Sequence, residues 1–125
     1  MASELILIVE DEQPLSKVLG DSFSREGYDV IIAEDGEKGI EAVNNNTPSA
    51  VILDLMLPNG SGYDVLKRIR EEDRTKDIPV FVATNVDTSE SVLECVSHGV
   101  RDYFVKSDTS IDEIVSFVKK KLATA

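Results

Sequence analysis

Residues 49–62 read SAVILDLMLPNGSG. The apolar run at 51–53 is too short for an ordinary helix, is β-branched and aliphatic, and stops on a carboxylate, Asp54. Pro58, Asn59, Gly60 and Gly62 then supply the chemistry of a turn. This pattern predicts a buried strand that delivers Asp54 to its C-terminal end. Open α/β sheets bind their ligands at that edge.

The flanks repeat the theme. Upstream, the aliphatic run LILIV at residues 5–9 halts at Glu10, Asp11 and Glu12, as a central parallel strand covered on both faces would. Pro14 suits a first helical turn, and Leu15, Val18, Leu19, Ser22 and Phe23 recur at helical spacing up to a stop at Gly27. Residues 28–33 carry enough β-branched side chains for a second strand. Asp35 and Gly36 then turn the chain into a helix that uses Ile40 and Val43 and ends in Asn44, Asn45 and Asn46.

Downstream of Gly62, Tyr63, Val65, Leu66 and Ile69 stripe a third helix, and residues 80–83 form a fourth strand closing on Thr84 and Asn85. The next helix is predicted to start with Asp87 and Glu90 as a capping box, to bury Val92, Leu93 and Val96, and to stop at Gly99. A short fifth strand at 102–105 ends at Lys106 and Ser107. The last helix pairs Ser110 with Glu113 at capping-box spacing and stripes Ile111, Ile114, Val115, Val118 and Leu122. Five strand-then-helix units without a hairpin signal imply a doubly wound α/β fold, a parallel sheet with helices on both faces.

A chain of 125 residues, 42% hydrophobic, suits one cooperative core, so residues 1–125 are expected to form a single domain. The single Cys95 excludes an intrachain disulfide and reads as packing. No apolar run approaches a membrane span and no signal-peptide pattern opens the chain, so a cytoplasmic location without membrane insertion is expected. With 24 acidic against 13 basic residues and a formal charge of -11, direct nucleic-acid binding is disfavoured. Two basic clusters, Lys67, Arg68, Arg70 and Lys119, Lys120, Lys121, read as solvated faces late in helices. His98 reads as a helix C-terminal residue near the dipole.

In a parallel sheet all C-terminal strand ends share one edge. Glu10, Asp11 and Glu12 therefore gather near Asp54, Thr84 and Lys106. Clustered carboxylates raise one another's pKa or demand a cation, and hard oxygen ligands of this kind suit Mg²⁺, with Mn²⁺ as a substitute.

On LILIVEDE with Glu10 and Asp11, VILDLMLPNGSG with Asp54, Pro58 and Gly62, PVFVATN with Thr84, and DYFVKS with Tyr103 and Lys106, the sequence resembles the receiver domain of two-component response regulators. The resemblance spans essentially the whole chain, with Thr84 30 residues and Lys106 52 residues after Asp54. It implies the flavodoxin-like receiver fold, a five-stranded sheet in the order 2-1-3-4-5 with five helices. It also implies that Asp54 takes a phosphoryl group from a phosphohistidine on a sensor histidine kinase or histidine phosphotransfer protein. The domain would catalyse its own phosphorylation and dephosphorylation without being a conventional metabolic enzyme. Asp11, Asp54 and the backbone carbonyl of Met56 would hold Mg²⁺ directly and Glu10 through water, while Lys106 and Thr84 would contact the phosphoryl group. Thr84 and Tyr103 would then reshape the face of the fourth helix, fifth strand and fifth helix, where an output domain or target protein binds.

Four positions tune that expectation. Asn85 stands where the family usually has alanine, narrowing access to the site or adding a hydrogen bond there. Ser107 replaces the usual proline after the lysine. Met56 and Val86 cannot orient water for attack on the acyl phosphate, which implies a long-lived phosphorylated state. The competing readings are weaker. A flavin or nucleotide binder would want a glycine-rich phosphate cradle, and neither GxGxxG nor GxxxxGK[ST] is present. A haloacid-dehalogenase-type phosphatase would need paired aspartates after the first strand, where this chain has Glu10 and Glu12. The remaining alternative is a receiver-like module that binds partners without phosphorylation.

Overall fold

The computed structural model describes residues 4–124. Five strands alternate with five α-helices: β1 (Leu5–Val9), α1 (Gln13–Arg25), β2 (Asp29–Ala33), α2 (Gly36–Asn45), β3 (Ala50–Leu53), α3 (Gly62–Glu71), β4 (Val80–Thr84), α4 (Ser89–Ser97), β5 (Asp102–Val105) and α5 (Ile111–Thr124). A single 3₁₀ turn, Lys106–Asp108, follows β5. All pairings are parallel and the order is β2-β1-β3-β4-β5, as expected. The register places Val9 beside Leu53, Leu53 beside Val82, and Thr84 beside Val105, so the strand ends are level along one edge.

Strand alternation divides the core into two layers. Leu7, Val9, Val51, Leu53, Val80 and Val82 face Val43, Val65, Leu66, Ile69 and Cys95 from α2, α3 and α4. Ile6, Ile8, Ala50, Ile52, Phe81 and Ala83 face Leu19, Phe23, Ile114, Val115 and Val118 from α1 and α5. Fully burying one of these aliphatic side chains stabilises the fold by about 1.5–3 kcal/mol. β3 is buried at every residue, so its backbone holds Asp54 on a rigid base.

Helix ends follow local chemistry. Pro14 lies in the first turn of α1, and Gly27, at φ 94°, ends it. Ser110 and Glu113 form the predicted capping box, each donating its N–H to the other's side chain at 3.3 and 3.1 Å. A second box, Ser61 with Asp64, opens α3.

Helix α4 departs from expectation. Its N-cap is Thr88, whose hydroxyl accepts from Ser91 N–H at 3.2 Å, so Asp87 and Glu90 do not form the capping box. The buried positions are Ser91 and Cys95, while Leu93 and Val96 are 67% and 57% exposed. The predicted stripe fails because hydropathy favours Val92, Leu93 and Val96, whereas Ser91 is buried by finding hydroxyl partners on two neighbouring elements. Gly99 does stop the helix, at φ 79°.

The basic cluster of α3 is also more than a solvated face. Arg70 donates from Nε to the His98 carbonyl at 2.6 Å and from one terminal nitrogen to those of Lys76 and Ile78 at 3.0 and 2.7 Å. It ties α3 to the C-terminus of α4 and to the strand entering the sheet. His98 is the C-cap of α4, with Nε2 3.6 Å from Glu94.

Candidate functional site

The C-terminal edge of the sheet carries the acidic cluster. Backbone bonds extend the ladders one residue past the strands: Glu10 N–H donates to the Ala33 carbonyl and Asp54 N–H to that of Val9, both at 3.0 Å. Glu10 and Asp54 are thereby fixed at 2% and 5% exposure, while Asp11, one residue further, is exposed. Carboxylate oxygens of Glu10, Asp11 and Asp54 lie within 4.8 Å of one another.

Lys106 closes the cluster from the end of β5. Its Nζ lies 2.7 Å from Asp54 Oδ2, 2.5 Å from Glu10 Oε1 and 3.9 Å from Glu12 Oε1. Burial holds the Glu10 carboxyl above its ordinary range, against hydrogen bonds from Lys106 and the Glu12 N–H that pull it down and the Asp54 charge that pushes it further up. Burial alone would lower the Lys106 ammonium, but hydrogen bonds and charge from Asp54 and Glu10 outweigh it and raise the group. One ammonium thus serves several carboxylates. The remaining oxygen donors, hard and closely spaced, fit a divalent oxygen-seeking cation.

The turn after β3 is shaped for close approach. A β-carbon at Gly62 would overlap the Asp54 carbonyl, and one at Gly36 would lie 2.5 Å from the Gly60 carbonyl oxygen. Asn59 and Gly60 adopt left-handed φ of 50° and 101°. Gly36 and Glu37 donate their N–H groups to Pro58 and Asn59 at 3.1 and 2.9 Å, and Asn59 Nδ2 donates to Asp35 Oδ2 at 3.2 Å. The loop is therefore braced against the start of α2. The sequence reading missed this role of Asp35 and Asn59, since two turn motifs 24 residues apart carry no signal that they meet.

Met56 meets Asp54 through its N–H, which donates to Oδ1 at 3.1 Å; its side chain is 67% exposed. Thr84 is fully buried, and its Oγ1 accepts from Val86 N–H at 3.4 Å. Tyr103 is half-buried, donating its hydroxyl to the Val86 carbonyl at 2.6 Å and meeting Ser91 Oγ at 2.9 Å; Ser91 in turn meets the Tyr63 hydroxyl at 2.6 Å. Because the single Tyr103 proton goes to Val86, Ser91 donates to Tyr103 and Tyr63 donates to Ser91. Sequence reasoning placed Tyr103 but not Ser91 or Tyr63, whose hydroxyls look like ordinary helix positions. Asn85 and Ser107 are both exposed and joined to each other, and the Lys106–Ser107 bond is trans.

A groove of about 680 Å³ lies at the other end of β4 and β5, lined by Arg70, Ile78, Phe81, His98, Arg101 and Asp102. It holds none of the acidic-edge residues Glu10, Asp11, Asp54 and Lys106. The acidic edge brings a central carboxylate, a facing ammonium and hard oxygen donors capable of holding a metal ion to the C-terminal edge of a doubly wound sheet.

Comparison with known proteins agrees. The model of the response regulator receiver domain matches residues 6–119, and the chain belongs to that family. It is 35% identical over 117 residues to "Response regulator ArlR" of Staphylococcus saprophyticus, a match covering 94% of this chain and 51% of that protein. A putative response regulator from Chloroflexus aurantiacus J-10-fl superposes with a TM-score of 0.84 at 30% identity, covering 98% of this chain and 99% of that one. A CheY-like receiver domain protein from Methanospirillum hungatei JF-1 shares the fold, at TM-score 0.90 and 21% identity, over 98% of this chain and 96% of that one. The chain spans about half the length of the curated relatives it matches. Among the described residues, no helix is long and apolar enough to cross a membrane.

Proposed function

We propose that Asp54 is the phosphoryl acceptor and that residues 1–125 act as one receiver unit. The observation that carries this is the setting of Asp54, nearly buried, with Oδ1 held by the Met56 N–H and Oδ2 by Lys106. A carboxylate oxygen of Asp54 attacks phosphorus, and the bond from phosphorus to the donor imidazole breaks with its electron pair returning to nitrogen. Lys106, already beside the nucleophile, follows the developing negative charge as a point cation. Thr84, at the adjoining strand end, donates its hydroxyl to a phosphoryl oxygen. Mg²⁺, held by Asp11, Asp54 and the Met56 carbonyl with Glu10 acting through water, would neutralise the approaching phosphoryl oxygens.

The donor is a phosphohistidine on a sensor kinase or phosphotransfer protein, and the reader is an output domain or target protein at the α4-β5-α5 face. Exposed Leu93 and Val96 give that face an apolar contact surface. Tyr103, already turned inward on Val86, is the one observation favouring a module that also binds partners without phosphorylation.

Acetyl phosphate with Mg²⁺ is expected to label the protein, and Asp54→Ala to abolish labelling. Absence of labelling in the intact protein would reject the proposal. With Met56 exposed and unable to orient water, the label is expected to persist, and Met56→Asn to shorten its lifetime.

A further inference from the structure

Two departures from the family pattern meet in space. Ser107 donates its backbone N–H to Asn85 Oδ1 at 3.1 Å. A proline at 107 would have no N–H to give, and an alanine at 85 would have no oxygen to receive it. The β4–β5 ladder ends at Thr84 beside Val105, so Asn85 and Lys106 are the first residues beyond it. The Asn85 side chain supplies an acceptor where backbone pairing has stopped. It thereby fastens the chain just after Lys106 to the chain just after Thr84.

We infer that Asn85 and the Ser107 amide are positioning elements for phosphoryl transfer, a staple that holds the backbone from which Lys106 reaches Asp54 and Glu10. The inference rests on the receiver reading above and adds residues to it. Lys106 must project its ammonium to within 2.7 Å of Asp54 from a loop that continues into only one 3₁₀ turn. In that turn the closing bond, Thr109 N–H to the Lys106 carbonyl, is long at 3.5 Å. The loop has little internal restraint, and the side-chain staple supplies it. Asn85 acts through the backbone, by accepting from the Ser107 N–H.

The obvious rival role for Asn85 is obstruction of the site, and the two roles predict opposite signs. If Asn85 positions Lys106, Asn85→Ala slows labelling by acetyl phosphate at saturating Mg²⁺ by about fivefold, the scale of one net hydrogen bond. If it obstructs, Asn85→Ala speeds labelling. Amide exchange in metal-free protein reads the staple directly. The residue 107 amide is expected to be protected in the wild type, unprotected in Asn85→Ala, and still protected in Ser107→Ala, which keeps the N–H. Ser107→Pro, which deletes it, should slow labelling as Asn85→Ala does, and the double variant should be no slower than either single change.

Faster labelling of Asn85→Ala, unchanged exchange at residue 107 in that variant, or additive losses in the double variant would each overturn the inference. Should Ser107→Pro fail to fold, Asn85→Ala and the exchange measurement still decide. Failure of the wild type to label at all rejects the receiver chemistry, whereas normal labelling of every variant rejects only the staple.

Discussion

The two ends of the sheet both hold charged groups partly out of water, but they balance them differently. Near the N-terminal end of β4, Arg70 is spread over three backbone carbonyls, and burial lowers its pKa with only Asp77 acting against it. Arg74 likewise donates to the carbonyls of Val43 and Asn46 at 2.8 and 2.6 Å, closing the C-terminus of α2. Backbone carbonyls hold Arg70, and Arg74 adds the Glu72 carboxylate at 3.4 Å, so both guanidiniums are matched within the fold. At the C-terminal end, Glu10, Asp11 and Asp54 crowd together with Lys106 as the shared cation. A charge satisfied by carbonyls holds a fold together; a group of carboxylates with too few cations is set for another positive charge and for chemistry.

The contrast is broken most directly by Lys106→Ala. Removing the ammonium beside Asp54, the proposed acceptor, should slow labelling by acetyl phosphate by about 100-fold, of the order expected when a charge meeting the reacting group is lost. The same variant should bind Mg²⁺ more tightly in a metal titration, because a competing cation has gone. Weaker Mg²⁺ binding would show that Lys106 organises the carboxylates rather than competing at them. Arg70→Ala is the converse test. Leaving three carbonyls without their donor should lower the free energy of unfolding by about 2 kcal/mol in a denaturant titration, with the labelling rate unchanged. A labelling defect at intact stability would mean that the far end of the sheet communicates with the site.

The smallest effect is in alkaline solution. The folded Lys106 pKa is raised above its ordinary 10.5, so its charge contributes stability fully present below about 10.5 and lost as pH climbs through the raised value. With metal chelated, the stability difference between wild type and Lys106→Met should therefore narrow with rising pH in that range. A constant difference would mean that the side chain contributes packing rather than charge.

Much of this was legible in the residues themselves. The apolar runs ending at Glu10, Asp54, Thr84 and Lys106 carry period and length signals that depend only on neighbours in the chain, and they place the acidic edge correctly. Helix α4 was misread because its buried face is chosen by partners rather than by hydropathy. Ser91 pairs with Tyr63, 28 residues earlier, and Tyr103, 12 residues later. Arg70 reads as a solvated cation in the sequence because its carbonyl partners lie outside its own helix, two on the segment leading into β4 and one at His98, 28 residues on. The Asn85 and Ser107 departures were visible one at a time, but not as a pair.

The sequence alone determined the alternation of strands and helices, the parallel sheet and the residues at its functional edge, because those follow from hydrophobic period, turn chemistry and the ends of apolar runs. Tertiary structure alone decided which face of α4 is buried, how the loop after Asp54 is braced on α2, and that Asn85 reaches the Ser107 amide. These are contacts between segments whose meeting depends on register and packing, and no local propensity encodes them.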